Sequence, residues 1–130
     1  MLSNRLIRAA ILFFVLAVAL GMYMGITQDF RFRHVHSHLN LLGWVSLALI
    51  GLLYAVHPRL EEGWMAHAHY WLHTLGLVVF KGAFFWGIVS GNLPAAPVAA
   101  GASAVALGVL LFAAHVLLRL RGSQPSAAMR

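Results

Sequence analysis

The chain has 130 residues, of which 62% are hydrophobic and only 9% are charged. Soluble domains carry roughly 25% charged residues, so this composition indicates a membrane protein of one domain's length. The absence of cysteine excludes disulfides, thiolate metal sites and thiol catalysis, and the formal charge of +6 comes mainly from arginines at the ends of apolar segments, which argues against nucleic-acid binding.

Four apolar runs follow one another along the chain, each close to the roughly 20 residues that a membrane-spanning helix needs. They predict helices over about residues 7–27, 36–57, 68–90 and 95–118, separated by polar or turn-forming residues. The predicted fold is all-α: a single integral membrane four-helix bundle. The first run is also a candidate signal peptide, although it is longer than the roughly 7–15 apolar residues of such a signal.

The arginines predict how this bundle is oriented. With four spans, the N-terminus, the loop after the second helix and the C-terminus share one side of the membrane. Cytoplasmic loops are enriched in Lys and Arg, so both termini are predicted to be cytoplasmic. The predicted inner side carries Arg5, Arg8, Arg59, Arg119, Arg121 and Arg130, and the outer side carries Arg31 and Arg33.

Three histidines, His34, His36 and His38, stand at the start of the second apolar run. On a helix, His34 and His38 share one face, whereas His36 lies about 200° around from His34. One helix therefore presents imidazoles in two directions, which suits a helix that lies between two neighbours and supplies a ligand to each. A single metal ion held by all three is awkward in this geometry. The alternative is a patch of solvated interfacial histidines.

The sequence from His36 onward resembles a known family. Residues 36–60, HSHLNLLGWVSLALIGLLYAVHPRL, are similar to the tenth transmembrane helix of the catalytic subunit of heme–copper oxygen reductases, most closely in the C-type branch. Residues 69–80, HYWLHTLGLVVF, resemble the eleventh helix of that subunit. The family's subunit has twelve helices in three similar arcs of four. This chain resembles one arc, and a homotrimer would rebuild the three-arc plan in a bacterial cytoplasmic membrane.

The resemblance implies a cofactor and its ligands. In the family, the first histidine of the His-x-His pair binds a high-spin heme and the second binds a low-spin heme, which carries over to His36 and His38. His34 has no assigned counterpart and stays a candidate ligand. The implied function is b-type heme binding for electron transfer, from an unknown donor, or for binding nitric oxide or oxygen. Full oxygen reduction is not expected, because the family's copper-site histidine trio has no counterpart near His36.

Several polar residues fit a heme site at this end of the second helix. Arg31 and Arg33 lie just outside His34, where they are candidates to neutralise heme propionates, although both also fit as ordinary loop charges. Asn40 is a candidate partner for the second nitrogen of a ligating histidine. Lys81 lies deep inside the third predicted helix, where an ionisable residue is costly. It is predicted to act as a counter-charge or proton relay, with a lysine that extends to the interface as the alternative.

A second histidine set, His69, His73 and His115, lies toward the predicted inner side. These imidazoles are candidates to hold copper, zinc or a second heme, or to pass protons. The simpler alternative is imidazoles that are hydrogen-bonded to backbone carbonyls. Two other functions stay open for the whole chain: a copper- or zinc-binding membrane protein without heme, and an accessory subunit of a respiratory complex.

Overall fold

The computed structural model describes residues 1–121, and all of its regular elements are helices. The four long helices are α1 (Leu2–Thr27), α2 (Phe30–Val56), α3 (Trp64–Ser90) and α4 (Ala95–Arg121). Each is long and apolar enough to cross a membrane. The predicted all-α class is confirmed. Arg130, which was counted for the orientation, lies outside the described residues.

The helices begin earlier than the apolar pattern predicts. α1 begins at residue 2 rather than 7, α2 at residue 30 rather than 36, and α3 at residue 64 rather than 68. The extra turns contain polar residues, whose backbone groups form helical hydrogen bonds although their side chains do not continue the apolar run. The His34–His38 segment is consequently helical throughout and does not lie in a loop before the helix.

α2 changes its helical type along its length. A 3₁₀ turn over Phe30–Phe32 leads into an α-helical segment over Arg33–His38, then a π-helical segment over Leu39–Ser46, and finally an α-helix over Leu47–Val56. π-helical turns widen the helix and occur frequently at functional sites. The Ser46 hydroxyl donates to the carbonyl of Leu41, five residues earlier, at 2.7 Å. The widened segment begins directly after His38.

The four helices form two antiparallel hairpins. α1 packs along α2, and α3 packs along α4. The second hairpin depends on glycine: a Cβ atom at Gly101 would lie 2.7 Å from the Cα atom of Phe80, and one at Gly76 would lie 3.0 Å from the backbone nitrogen of Val105. Small residues let membrane helices approach this closely. The hairpins touch mainly through α2 and α3, which leaves room between α1 and α3.

The loop between α2 and α3 joins the two hairpins at one end of the bundle. The Glu61 carboxylate accepts hydrogen bonds from the backbone nitrogens of Leu2, at 2.6 Å, and Ser3, at 3.3 Å. Partial burial acts to raise the pKa of Glu61, but hydrogen bonds from the Ser3 side chain and from both backbone amides outweigh burial and lower it. On the other side of the loop, His115 Nε2 donates to the Leu60 carbonyl at 2.9 Å.

Candidate functional site

His36 points from α2 toward α1. Its Nδ1 atom lies 2.9 Å from the carbonyl oxygen of Ala17. The imidazole fits there because α1 carries glycine at position 21, where a Cβ atom would lie 2.8 Å from His36 Cε1. Asn40, one turn further along α2, places its Nδ2 atom 3.4 Å from His36 Nε2 and donates to the His36 carbonyl at 3.1 Å.

His34 and His38 point the other way, toward α3. Their rings stack with centroids 5.9 Å apart. The His38 ring meets Phe80 edge to face at 5.6 Å, and the His34 ring lies 5.9 Å from Phe84. His34 is exposed and His38 is half-buried. The two directions predicted from the histidine spacing are therefore present in the structure, and each is filled by a neighbouring helix of the same chain.

The hydrogen bonds of His36 and His38 define which nitrogen carries the proton. His38 Nδ1 lies 2.8 Å from the His34 carbonyl, and His36 Nδ1 bonds to the Ala17 carbonyl. A carbonyl oxygen only accepts, so each Nδ1 donates, and the neutral ring keeps its lone pair on Nε2. Metal-bound histidines typically hold their other ring N–H on a carbonyl in this way. The donor set thus fits axial ligation of heme iron, which takes imidazole nitrogen.

The two arginines occupy different positions at the outer end of α2. Arg31 forms an ion pair with Asp29, with Nη2 2.7 Å from Oδ2, and its side chain is 62% exposed. Hydrogen bonds from the Arg31 side chain and backbone lower the pKa of Asp29 in this loop. Arg33 is exposed at the first turn of the α-helical segment. Both remain near the candidate ligands, but Arg31 already has an anionic partner.

Lys81 is buried between α2 and α3, with 3% of its surface exposed. Its Nζ atom lies 3.5 Å from the ring centroid of Phe80 and 5.0 Å from that of Phe84, which is cation–π geometry. Phe80 is also the ring that His38 contacts. Lys81 is therefore enclosed by the bundle, and its role as a counter-charge or proton relay stays a prediction.

A large cleft lies between α1 and α3, over the outer half of α2. Its volume is about 820 Å³. Val35 and Leu39 form its floor, Lys81 lies in its α3 wall, and Arg31 lies at its outer end. None of the described histidines lines it. The candidate heme ligands therefore lie beside this cleft and do not face into it.

The inner histidines form a hydrogen-bonded chain. His73 Nε2 lies 3.0 Å from the Leu42 carbonyl in the π-helical segment, and His69 Nε2 lies 3.3 Å from His73 Nδ1. Because a carbonyl only accepts, His73 donates through Nε2 and accepts from His69 through Nδ1. His69 Nδ1 is buried without a hydrogen-bond partner among the described residues. His115 does not join this chain and donates instead to the Leu60 carbonyl.

The prediction of a second metal site at His69, His73 and His115 receives no support from this arrangement. Within residues 1–121, no group of three or more His, Asp or Glu side chains lies close enough to hold a metal ion. The ring nitrogens of His73 are both used in hydrogen bonds, and His115 donates to a carbonyl of the loop. His73 and His115 match the simpler alternative of imidazoles that are hydrogen-bonded to carbonyls, whereas the hydrogen bond of His69 goes to His73.

Two parts of the site were not predicted from the sequence: the space for His36 at Gly21, and the aromatic pair Phe80 and Phe84 around Lys81. The phenylalanines are four residues apart and flank the lysine, so helical spacing was a usable signal for them. Nothing in the sequence pairs Gly21 with His36, because the two residues belong to different helices.

Comparison with known proteins adds a partial similarity. Over 70 residues, which cover 48% of this chain, the sequence is 36% identical to cytochrome c oxidase subunit 1 of Rhodobacter capsulatus. The match covers 13% of that subunit, so the chain spans only a small part of this relative's length. No protein-family model and no solved structure matches. The chain is a helical membrane protein with distant similarity to a heme–copper oxidase subunit.

Proposed function

We propose that this chain is a membrane protein that binds b-type heme and serves in electron transfer or in binding a diatomic gas such as nitric oxide or oxygen. The observation that carries the proposal is the shared state of His36 and His38. Each holds its Nδ1–H on a backbone carbonyl and has its lone pair on Nε2, the nitrogen that would bind a metal, although in His36 this atom lies 3.4 Å from the Asn40 amide nitrogen. Heme would supply a one-electron iron centre whose axial positions take imidazole.

The opposite directions of His36 and His38 shape this proposal. One heme has its two axial positions on opposite faces of the macrocycle, and two imidazoles on opposite sides of α2 do not reach one iron from the same chain. A second axial histidine is therefore proposed to come from another copy. A homotrimer, which would repeat the three-arc plan of the similar family, provides three such interfaces.

Other residues near α2 would serve the bound heme. Asn40, whose Nδ2 atom lies 3.4 Å from His36 Nε2, would turn away from that nitrogen when iron binds and would keep its hydrogen bond to the His36 carbonyl. Arg33 and Arg31 would offer cations to the propionates at the outer end, and Arg31 would share its charge with Asp29. The electron donor is proposed to act from outside the bundle, in a bacterial inner membrane with both termini in the cytoplasm.

A second candidate function is a copper or zinc site without heme. The observation that favours it is the stacked pair His34 and His38, four residues apart on one helix face. Imidazoles at this spacing suit copper or zinc when further ligands are supplied. A second copy of the chain would have to supply them, because no third ligand lies nearby in residues 1–121.

Optical spectra of the purified protein and its variants test the proposal. Wild-type protein made with ample heme supply should show a strong Soret band, with sharp α and β bands on reduction if the iron is low-spin. His38→Ala and His36→Ala should each change or remove these bands. His67→Ala is the matched control, because exposed His67 makes the same local bond from Nδ1 to a carbonyl, at 3.1 Å.

Each result separates the candidates. Colourless wild-type protein that contains copper or zinc by elemental analysis, and loses the metal in His34→Ala, favours the second function. Wild-type protein that binds neither heme nor metal contradicts both functions and leaves the accessory-subunit alternative.

A further inference from the structure

Lys81 has no counter-anion among residues 1–121. The chain has only three acidic residues, Asp29, Glu61 and Glu62. Asp29 pairs with Arg31, Glu61 accepts from the amides at the start of α1, and Glu62 lies 3.9 Å from Arg119. All three lie in loops at the ends of the bundle. Lys81, the cation that is buried in the described chain, therefore has no acidic partner there.

Burial makes this absence costly. Lys81 is 3% exposed, about nine residues from the outer end of α3. Removing an ammonium group from water is costly, and intramembrane charges normally face a partner or a polar cavity. The rings of Phe80 and Phe84 offset only part of this cost, since a cation–π contact is weaker than the lost hydration. An anion from outside the chain would offset the rest.

The cleft beside Lys81 has the shape for such an anion with an apolar body. On α3 it extends from Leu77 to Val89, which corresponds to about 18 Å of helix. Its rim residues Leu16, Val78 and Val89 are each more than half exposed, so the cleft opens to the surrounding membrane. Apart from Lys81, Arg31 and Tyr23, its lining residues are apolar.

The residues that line the cleft argue against heme and against a phospholipid as its ligand. A heme in this cleft would find no imidazole for its iron, because no described histidine lines it. A phospholipid would have to draw its bulky headgroup about 12 Å below the outer end of the cleft to reach Lys81, given eight helical residues between Lys81 and Val89. A single-chain carboxylic acid has a compact head and can enter the bilayer in its neutral form.

We propose that the cleft between α1 and α3 binds one fatty acid from the bilayer, with its carboxylate on Lys81 and its hydrocarbon chain along the apolar wall of α1. The site goes beyond the proposed heme function and does not require it. The carboxylate would supply the counter-anion that the chain lacks, and the Phe80 and Phe84 rings would hold the ammonium group in place.

Electron paramagnetic resonance with spin-labelled stearic acid tests this site in detergent-solubilised protein. Wild type should immobilise about one probe per chain. Lys81→Met should weaken binding at least tenfold, Lys81→Arg should keep it, and the methyl ester of the probe should bind wild type no better than it binds Lys81→Met. Arg59→Met is the charge-matched control, because Arg59 is exposed in the loop between α2 and α3, and it should leave binding unchanged.

A second variant protects the test against misfolding of Lys81→Met. Gly82 lines the cleft, and a Cβ atom there would meet nothing within 4 Å. Gly82→Leu should fill the cleft and reduce probe binding while Lys81 stays in place. Equal binding by wild type, Lys81→Met and Gly82→Leu overturns the proposal. Displacement of the probe by phosphatidylglycerol or hemin at lower concentration than by unlabelled stearate overturns the choice of a fatty acid.

The measurement is made on protein produced with and without added heme precursor. Binding of the probe by both preparations supports the fatty-acid site whatever the heme spectrum shows. Probe binding that disappears only in heme-loaded protein would mean that heme occupies the cleft, which contradicts this inference but not the proposed heme function.

Discussion

At the scale of single residues, the position of each imidazole is decided by a partner on another element. His36 lies against α1 because position 21 has no side chain, whereas His38 lies against Phe80 of α3. Helical spacing predicts that these two rings point in different directions. It does not predict that Ala17 and His34 supply the carbonyls that orient them, since the first of these contacts joins residues 19 apart in sequence.

The space at Gly21 leads to a prediction about His36. Gly21→Ala would place a methyl group 2.8 Å from His36 Cε1, so the ring should move and lose its bond to the Ala17 carbonyl. We expect a changed Soret band in the heme-loaded protein. The free energy of unfolding should change by less than about 1 kcal/mol, because alanine has the higher helix propensity.

The control for this prediction lies one turn away on α1. A Cβ atom at Gly25 would meet nothing within 4 Å, so Gly25→Ala adds the same methyl group without touching an imidazole. The spectrum of Gly25→Ala should match that of wild type. If both variants shift the spectrum equally, the contact between Gly21 and His36 does not orient the ligand.

At the scale of helices, the apolar pattern predicts the number and order of the spans but not their internal geometry. Four hydrophobic runs are enough to identify four helices, because a membrane leaves no other partner for backbone polar groups. The change of α2 into a π-helix over Leu39–Ser46 has no counterpart in the sequence pattern. The hydrophobicity of a segment does not reveal whether each turn contains 3.6 residues or more. The position of the π-helical segment therefore cannot be read from the apolar pattern.

The closeness of α3 and α4 depends on Gly101. A Cβ atom there would overlap the backbone nitrogen of Phe80 and lie 2.7 Å from its Cα atom, and backbone atoms of a helix cannot move aside. Gly101→Ala should therefore separate α3 from α4 and lower the free energy of unfolding by about 1–3 kcal/mol, as overpacking does. Thermal unfolding in detergent, followed by circular dichroism, measures this change.

The control on the same helix is Ser103→Ala, since Ser103 is exposed and the new residue is again alanine. Ser103→Ala should change the free energy of unfolding by less than about 0.5 kcal/mol. A Gly101→Ala variant that unfolds at the wild-type temperature would show that the two helices have room for a methyl group at this crossing.

At the scale of the whole molecule, one carboxylate links the loop between α2 and α3 to the start of α1. Glu61 has a lowered pKa in the folded protein, so its stabilising effect is present above the ordinary glutamate pKa of about 4.3 and is lost as pH falls through the folded value. Glu61→Gln should lower the free energy of unfolding by about 1 kcal/mol at pH 7, and the difference from wild type should shrink below pH 4.

The neighbouring glutamate provides the control for this pH dependence. Glu62 has a side chain that is 70% exposed and lies 3.9 Å from Arg119, where an ion pair contributes little. The Tm of Glu62→Gln should follow that of wild type at both pH values. A Glu61→Gln variant with the same pH dependence as wild type would show that the hydrogen bonds to Leu2 and Ser3 do not contribute to stability.

The proposed heme site would need residues from more than one chain. In the most apolar stretch of each of the four spans, only 22–28% of the residues are buried within one chain. The remaining faces are open to lipid or to other copies. Since His36 and His38 lie on opposite sides of α2, the proposed heme would need a second histidine from another chain. We therefore expect native mass spectrometry of the purified protein to detect heme in a species with the mass of three chains.

His38 should control both heme binding and the fraction of protein that is trimeric. If heme joins the copies, His38→Ala should release it and lower the trimer fraction, whereas the His67→Ala control should keep both. A trimer that survives without heme would mean that helix packing alone holds the copies together. Heme that remains bound to a single chain, with two nitrogen ligands by spectroscopy, would contradict the shared site, because no pair of imidazoles from one α2 can reach both faces of the iron.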